Sequence, residues 1–301
     1  MPREYAAPSP DLLAWVGGEV GPGGRVVAVE RLVGGITADM DRLTVSLPGR
    51  DVEVVLRRWA DEDGTTDLVV REAAALTALA ASPGHGVPVP ELVATGPRRT
   101  LTTALAGEPD LAPADPASWL AQLAAAQAAV HTVTPLPANP RAAADRYEDR
   151  PRALDWIADR GLREAARQAA DGPPPRDDLA FVHGDFQHFN VLWLDGRLTG
   201  VVDWPHAGVA SRGTDVGHCR LNLAVLLGPQ AAAGHLTAYE RAAGAPVDRR
   251  ADLRSLLCFD VEWQEFIPRQ VAGRAALDVA GMPDRVAHTV RDALDALDAS
   301  G

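Results

Sequence analysis

The chain has 301 residues, about twice the usual domain length of roughly 150, which excludes a mini-scaffold and favours two lobes or one large domain. Apolar residues make up 47% and charged residues 23%, so a core can be buried. The 41 acidic against 29 basic side chains, a net charge of −12, speak against nucleic-acid and anionic-membrane partners and for cationic ones.

Taken in chain order, residues 25–33, 42–47 and 52–59 are rich in Val and Leu. Pro48-Gly49-Arg50-Asp51 between the last two is a turn signal, so an antiparallel meander is predicted. Residues 67–81 carry Ala and Leu at helical spacing and stop at the breaker Ser82-Pro83-Gly84. Two more strands are predicted at 87–93, entered through prolines, and at 99–104. Proline and glycine then cluster from Gly107 to Pro116 without any apolar period, the signature of a linker, so the expected lobes are residues 1–106 and 107–301. Beyond it, residues 119–131, 150–170, 215–227, 230–243, 250–272 and 283–297 have helical patterns. The exception is 179–204, which reads as strand, loop and hairpin. Most of the acidic excess lies after Gly107, where a cationic ligand is expected.

That exception carries the chemistry: Phe181-Val-His183-Gly184-Asp185-Phe-Gln-His188-Phe-Asn190, then a hairpin turning on Asp195-Gly196 and ending at Asp203-Trp204. A two-residue turn there sets Asn190 opposite Val201. Asp203, two residues further with the same pleat parity, then shares a face with Asn190 at a diagonal Cα distance of about 7–8 Å. An amide oxygen and a carboxylate are hard donors, too few to cage a metal but suited to Mg²⁺ shared with phosphates, which implies a nucleotide. Asp185, on the loop leading into the hairpin, is the third group, placed to take a proton from a hydroxyl and orient its attack. The run H-G-D-F-Q-H-F-N matches the spacing of the kinase loop H-R-D-L-x-x-x-N.

Upstream parts follow in kinase order. Gly34 and Gly35, within Val33-Gly34-Gly35-Ile36-Thr37, let backbone N–H groups approach phosphate oxygens. Arg57 sits where kinases keep a strand lysine, and Glu72 on the following helix is its expected ion-pair partner. No lysine occurs anywhere in the chain, which rules out a Walker A loop and lysine Schiff-base catalysis by its own side chains.

On these residues the chain resembles the aminoglycoside phosphotransferase family, small-molecule relatives of protein kinases related to choline and homoserine kinases. The resemblance implies an α+β, two-lobe protein-kinase-like fold: an N-terminal antiparallel sheet with one helix, and a mostly helical C-terminal lobe that binds the acceptor. It makes Asp185 the catalytic base and Asn190 and Asp203 the Mg²⁺ ligands. It assigns nucleotide binding to Arg57, Glu72, Gly34, Gly35, Ile36 and Thr37, and, through the hinge segment Thr103-Ala104-Leu105-Ala106-Gly107, to Thr103 and Leu105. It has His183 and Asp215 brace the catalytic loop, and likens the Val130-His131 helix end to a family feature. Acids on C-terminal helices of relatives bind amino sugars, which points to Asp260, Glu262 and Glu265 as substrate-binding residues. The implied reaction is γ-phosphoryl transfer from ATP or GTP to a hydroxyl of a small, cationic acceptor such as an aminoglycoside-type antibiotic.

Three positions depart from the family pattern: Phe189 stands for a common glycine, Ser211 for a frequent aspartate, and Arg57 for the kinase lysine, whose compact ammonium contacts phosphate differently from a planar fork. Arg57 and Phe189 motivate an alternative, a non-catalytic nucleotide or small-molecule sensor on the same fold. A second alternative reads His183, Asp185, His188, Asp203, His206 and His218 as ligands of a metal-dependent hydrolase. Cys219 and Cys258 lack metal-ribbon spacing, the N-terminus has no apolar signal core, and no apolar run reaches membrane-spanning length. A cytoplasmic setting with reduced thiols is therefore expected.

Overall fold

The computed structural model describes residues 5–32, 38–60, 65–134, 153–172, 178–271 and 273–299. The meander forms as expected: β1 (Arg25–Leu32), β2 (Ala38–Leu47) and β3 (Arg50–Trp59) pair antiparallel in turn. Strands β4 (Leu92–Gly96) and β5 (Arg99–Thr103) complete a five-stranded sheet ordered β1-β2-β3-β5-β4. Along β2 every second residue is buried, and Leu43 and Val45 pack with Val54, Leu56 and Leu101 beneath Val16 of helix α1 (Pro10–Val20).

Helix α1 was not predicted, so the sheet carries two helices where one was expected. Its start was nonetheless written in the chain: Ser9 Oγ accepts from Leu12 N at 3.3 Å, and Pro10 occupies the first turn. The second helix, α2 (Thr65–Ala80), buries Leu76 and Leu79 in the larger core shared with Trp119 and Leu123 of α3 (Pro116–Val130), which ties the sheet to the helical part.

That part contains α4 (Arg160–Ala170), β6 (Leu179–Val182), β7 (Val191–Leu194), β8 (Arg197–Val201), β9 (Gly208–Ser211), α5 (Arg212–Leu227), α6 (Pro229–Ala243), α7 (Arg249–Leu256), α8 (Trp263–Val271) and α9 (Met282–Asp298). Helix α5 is buried over nearly its whole length. Gly213 and Gly217 let α7 approach it, since a Cβ at Gly217 would lie 2.4 Å from the Asp252 carbonyl oxygen. Arg220 of α5 pairs with Asp252 of α7 inside this contact. No helix among the described residues is long and apolar enough to cross a membrane.

Four local expectations change. Val87–Glu91 stays outside the ladder because Pro88 and Pro90 have no N–H, although the Pro88 carbonyl accepts from Val201 N at 2.9 Å. The predicted helix 150–170 begins only at α4, where Asp159 Oδ1 caps Leu162 N at 3.0 Å; residues 150–152 lie outside the described set. The predicted helix 250–272 breaks into α7 and α8, because Phe259 turns into the core against Trp156 and Asp260 Oδ1 accepts from Glu262 N at 2.9 Å. Strand β9 was not foreseen; it pairs antiparallel with β6 and delivers the chain into α5.

Candidate active site

Strand β6 ends at Val182, and the next three residues turn under the control of α5. Gly184 has φ 75° and a Cβ there would lie 2.0 Å from the His206 carbonyl oxygen, so only glycine fits. Asp215 of α5 receives this turn: its Oδ1 accepts from Gly184 N at 2.8 Å and its Oδ2 from His183 N at 3.4 Å. Two side chains of the α3 end meet the same carboxylate, Gln127 Nε2 at 3.3 Å and His131 Nε2 at 3.1 Å, while His131 Nδ1 lies 2.6 Å from Tyr239 Oη. Burial alone would raise the Asp215 pKa, but the His131 hydrogen bond and the donors around it hold it below the usual carboxylate value.

His183 is fully buried and links both sides of the loop. Its Nδ1 accepts from Asp185 N at 3.2 Å, which leaves Nε2 to donate to the Val202 carbonyl at 2.9 Å. Burial pushes its pKa down, so the ring is neutral at pH 7. Asp185 Oδ1 accepts from Gln187 Nε2 at 3.1 Å and faces His218 Nε2 at 2.8 Å, and its backbone carbonyl accepts from Asn190 Nδ2 at 2.9 Å. Asn190 closes a single 3₁₀ turn, His188–Asn190, directly before β7.

The hairpin turn falls on Asp195-Gly196 as expected, but the register slips. Leu194 faces Arg197 and Trp193 faces Leu198, after which a bulge places Leu192 opposite Gly200 and Val191 opposite Val201. Asn190 therefore exchanges its bond with Val202, whose N–H reaches the Asn190 carbonyl at 2.9 Å, and not with Val201 as predicted. The extra residue, Thr199, is held by its hydroxyl on the Ala106 carbonyl at 2.5 Å. Asp203 then has φ 73°, a conformation rare for a non-glycine residue, which turns the chain out of the strand.

Asp203 Oδ1 meets Arg57 Nη2 at 2.7 Å, and Arg57 Nη1 meets Glu72 Oε1 at 2.8 Å. Arg57 on β3 lies directly opposite Thr100 on β5, so both side chains leave the same face of the sheet, and Thr100 Oγ1 donates to Glu72 Oε2 at 2.7 Å. Burial opposes charge on Arg57, yet the carboxylates of Asp203 and Glu72 hold its pKa above the ordinary arginine value. One guanidinium thus joins α2, β3 and the end of the hairpin.

The other predicted residues are placed as follows. Gly34, Gly35, Ile36 and Thr37 lie outside the described residues. Thr103 ends β5 opposite Val54, and its Oγ1 accepts from Glu91 N at 2.9 Å. The Leu105 carbonyl accepts from Arg42 Nη2 at 3.0 Å. Asp260 and Glu262 sit in the turn before α8 and Glu265 in its first turn, and the Glu262 carbonyl accepts from Phe266 N at 3.1 Å. Phe189 is buried, and Ser211 caps α5 by accepting from Gly213 N at 3.2 Å. His188 is fully buried against Trp119 and Phe189, and burial drives its pKa down to about 3. Among the described residues no group of three or more His, Cys, Asp and Glu is arranged to hold a metal, which leaves the hydrolase alternative without a ligand set.

Sequence reasoning had no site role for Gln127, Gln187 or Thr100, and grouped His218 with metal ligands. For His218 a signal existed: it follows Asp215 by three residues on one helix, so the two share a face.

The sequence model of the phosphotransferase enzyme family matches residues 34–254. No curated protein matches the chain. Among solved structures, the apoenzyme of macrolide 2'-phosphotransferase MphH from Brachybacterium faecium is similar, with 17% identity, a TM-score of 0.59, and 93% of this chain and 97% of that chain covered. A streptomycin–ATP complex of APH(2")-IIa gives 15% identity, a TM-score of 0.57, and 89% and 96% coverage. A thermostable mutant of aminoglycoside phosphotransferase APH(4)-Ia, in ternary complex with ADP and hygromycin B, gives 18% identity, a TM-score of 0.54, and 89% and 94% coverage. These likenesses give the chain the kinase-like fold of that group.

Proposed function

We propose that this chain, which belongs to the phosphotransferase enzyme family, transfers the γ-phosphoryl group of ATP or GTP, with Mg²⁺, to a hydroxyl of a small cationic molecule in the cytoplasm. Aminoglycoside and macrolide antibiotics, the ligands and substrates named for the similar structures, are the first acceptor classes to test. The observation that carries the reading is the shared guanidinium. Arg57 holds Glu72 and Asp203 at 2.8 and 2.7 Å while Asp185 and Asn190 are hydrogen-bonded within one turn.

In this reading residues 1–106 hold the nucleotide, through Arg57, Glu72, Gly34, Gly35, Ile36, Thr37, Thr103 and Leu105. Residues 107–301 carry the catalytic loop and receive the acceptor, with Asp260, Glu262 and Glu265 as its cation-binding acids. Asn190 donates its amide hydrogen to Asp185, which leaves its carbonyl oxygen as the donor for a cation. Asp203 uses Oδ1 for Arg57, and its side chain is 31% exposed. This pair of hard oxygens fits Mg²⁺, which when bound neutralises phosphate charge. Asp185 accepts the proton of the acceptor hydroxyl. The freed oxygen bonds to the γ-phosphorus, and the bond to the bridging oxygen breaks to leave the nucleoside diphosphate. Asp215 and His183 fix the backbone on which Asp185 sits.

Nucleotide consumption over a panel of aminoglycosides, macrolides, choline and homoserine tests this. Acceptor-dependent turnover that Asp185→Ala abolishes, with nucleotide binding retained, supports it; equal activity in that variant removes the base. Tight nucleotide binding without turnover of any acceptor points to the sensor.

A further inference from the structure

Helix α5 reaches the catalytic loop twice. Asp215 holds the backbone amides of His183 and Gly184, and His218, three residues on and 4% exposed, places Nε2 at 2.8 Å from Asp185 Oδ1. The protonation pattern follows from the neighbours. A lone pair on Nε2 facing a carboxylate at that distance would repel it, so Nε2 carries hydrogen and donates to Asp185. Asn222 Nδ2 lies 3.2 Å from the same Nε2, but it has the His218 carbonyl one turn back to donate to, at 3.0 Å. The contact therefore runs from His218 to Asp185. It is a side-chain contact to the acting carboxylate itself, which the loop's backbone bonds do not supply.

We infer that His218 is a positioning residue for phosphoryl transfer. By donating to Oδ1 it sets the plane of the Asp185 carboxylate, with Gln187 Nε2 as the second donor on the same oxygen. One rigid helix thereby indexes both the catalytic loop and the carboxylate it presents. This rests on the phosphotransferase reading, in which Asp185 is the base.

The test compares wild type, Asp185→Ala, His218→Ala, His218→Gln and Gln187→Ala for kcat and for nucleotide KM, on whichever aminoglycoside or macrolide of the panel wild type phosphorylates. His218→Ala is expected to lower kcat by roughly tenfold to a hundredfold, the scale of a misplaced reacting group, with nucleotide KM within about twofold of wild type. Glutamine places an N–H donor at nearly the reach of Nε2, so His218→Gln is expected to recover most of kcat. A merely structural histidine would not show that rescue confined to kcat. The inference is overturned if Asp185→Ala is inactive while His218→Ala keeps the wild-type kcat, or if His218→Gln is as slow as His218→Ala. If Asp185→Ala keeps wild-type turnover, or wild type phosphorylates none of the panel, the parent reading falls and this inference with it. Should His218→Ala not fold, the comparison passes to His218→Asn against His218→Gln, which differ by one methylene of reach; equal kcat in those two overturns the inference.

Discussion

Replacing Arg57 by Met removes the cation shared between two carboxylates of very different exposure, so its cost can be apportioned. The Arg57 and Glu72 side chains are 9% and 6% exposed, whereas Asp203 is 31% exposed and can return to water. The loss therefore falls mainly on Glu72, left charged in the interior with Thr100 as its described donor. Removing one partner of such a buried pair costs about 3–5 kcal/mol. The cation–π contact of Arg57 over Trp59, 5.2 Å from the ring centroid with both residues buried, adds about 2 kcal/mol, the scale of a desolvated pair. With about 2–4 °C of Tm per kcal/mol for domains of 150–250 residues, the melting point should fall by at least roughly 10 °C. Glu72→Gln keeps an oxygen for the Thr100 hydroxyl but removes the stranded charge. The double variant Arg57→Met/Glu72→Gln should accordingly regain at least about half of the loss. Thermal unfolding of wild type, both singles and the double measures this coupling. Additive losses, or an Arg57→Met variant within about 1 kcal/mol of wild type, would refute the view that burial of Glu72 makes the pair mutually dependent.

Two further outcomes follow from the same framework. Gly184→Ala forces a Cβ to 2.0 Å from the His206 carbonyl at φ 75°, so turnover should fall by at least about a hundredfold; a variant with wild-type kcat contradicts the tight turn. His188 and His235 are fully buried, and burial drives both down to about 3 from an unfolded value near 6.5. Below 6.5 the unfolded chain takes up protons that the folded chain refuses, so stability is full above that pH and falls as pH drops toward 3. Each histidine contributes about 1.4 kcal/mol per pH unit in that window. His235→Gln should flatten the acid side of a stability–pH curve, followed by urea unfolding, by about that amount, and an unchanged slope would sink the assignment.

Much of the site could be read from local pattern because its parts lie on short, well-signalled pieces. The Asp195-Gly196 turn, with φ 51° and 72°, is where alternating strands and a two-residue loop put it. Arg57 and Glu72 meet because strand parity and helix phase both aim them at one gap. What escaped depends on partners distant in sequence. The bulge at Thr199 exists because its hydroxyl finds the Ala106 carbonyl, 93 residues away. The break between α7 and α8 exists because Phe259 has Trp156 to pack on. Neither partner is visible in a window of periodicity. Helix α1 is legible from Ser9-Pro10, although the Gly17-Gly18 pair weakens its helix propensity. His218 was misassigned by composition, since a motif of His and Asp letters reads as a metal site until helix phase is considered.

Asn190 and Asp203 are the proposed ligands for the metal of a metal–nucleotide complex. Calorimetric titration of the protein with a non-hydrolysable ATP or GTP analogue, with and without Mg²⁺, addresses this without knowledge of the acceptor. Mg²⁺ is expected to tighten nucleotide binding in wild type and in Asp185→Ala, and Asn190→Ala and Asp203→Ala are each expected to lose that enhancement. Affinity indifferent to Mg²⁺ in wild type, or enhancement undiminished in both ligand variants, would contradict it.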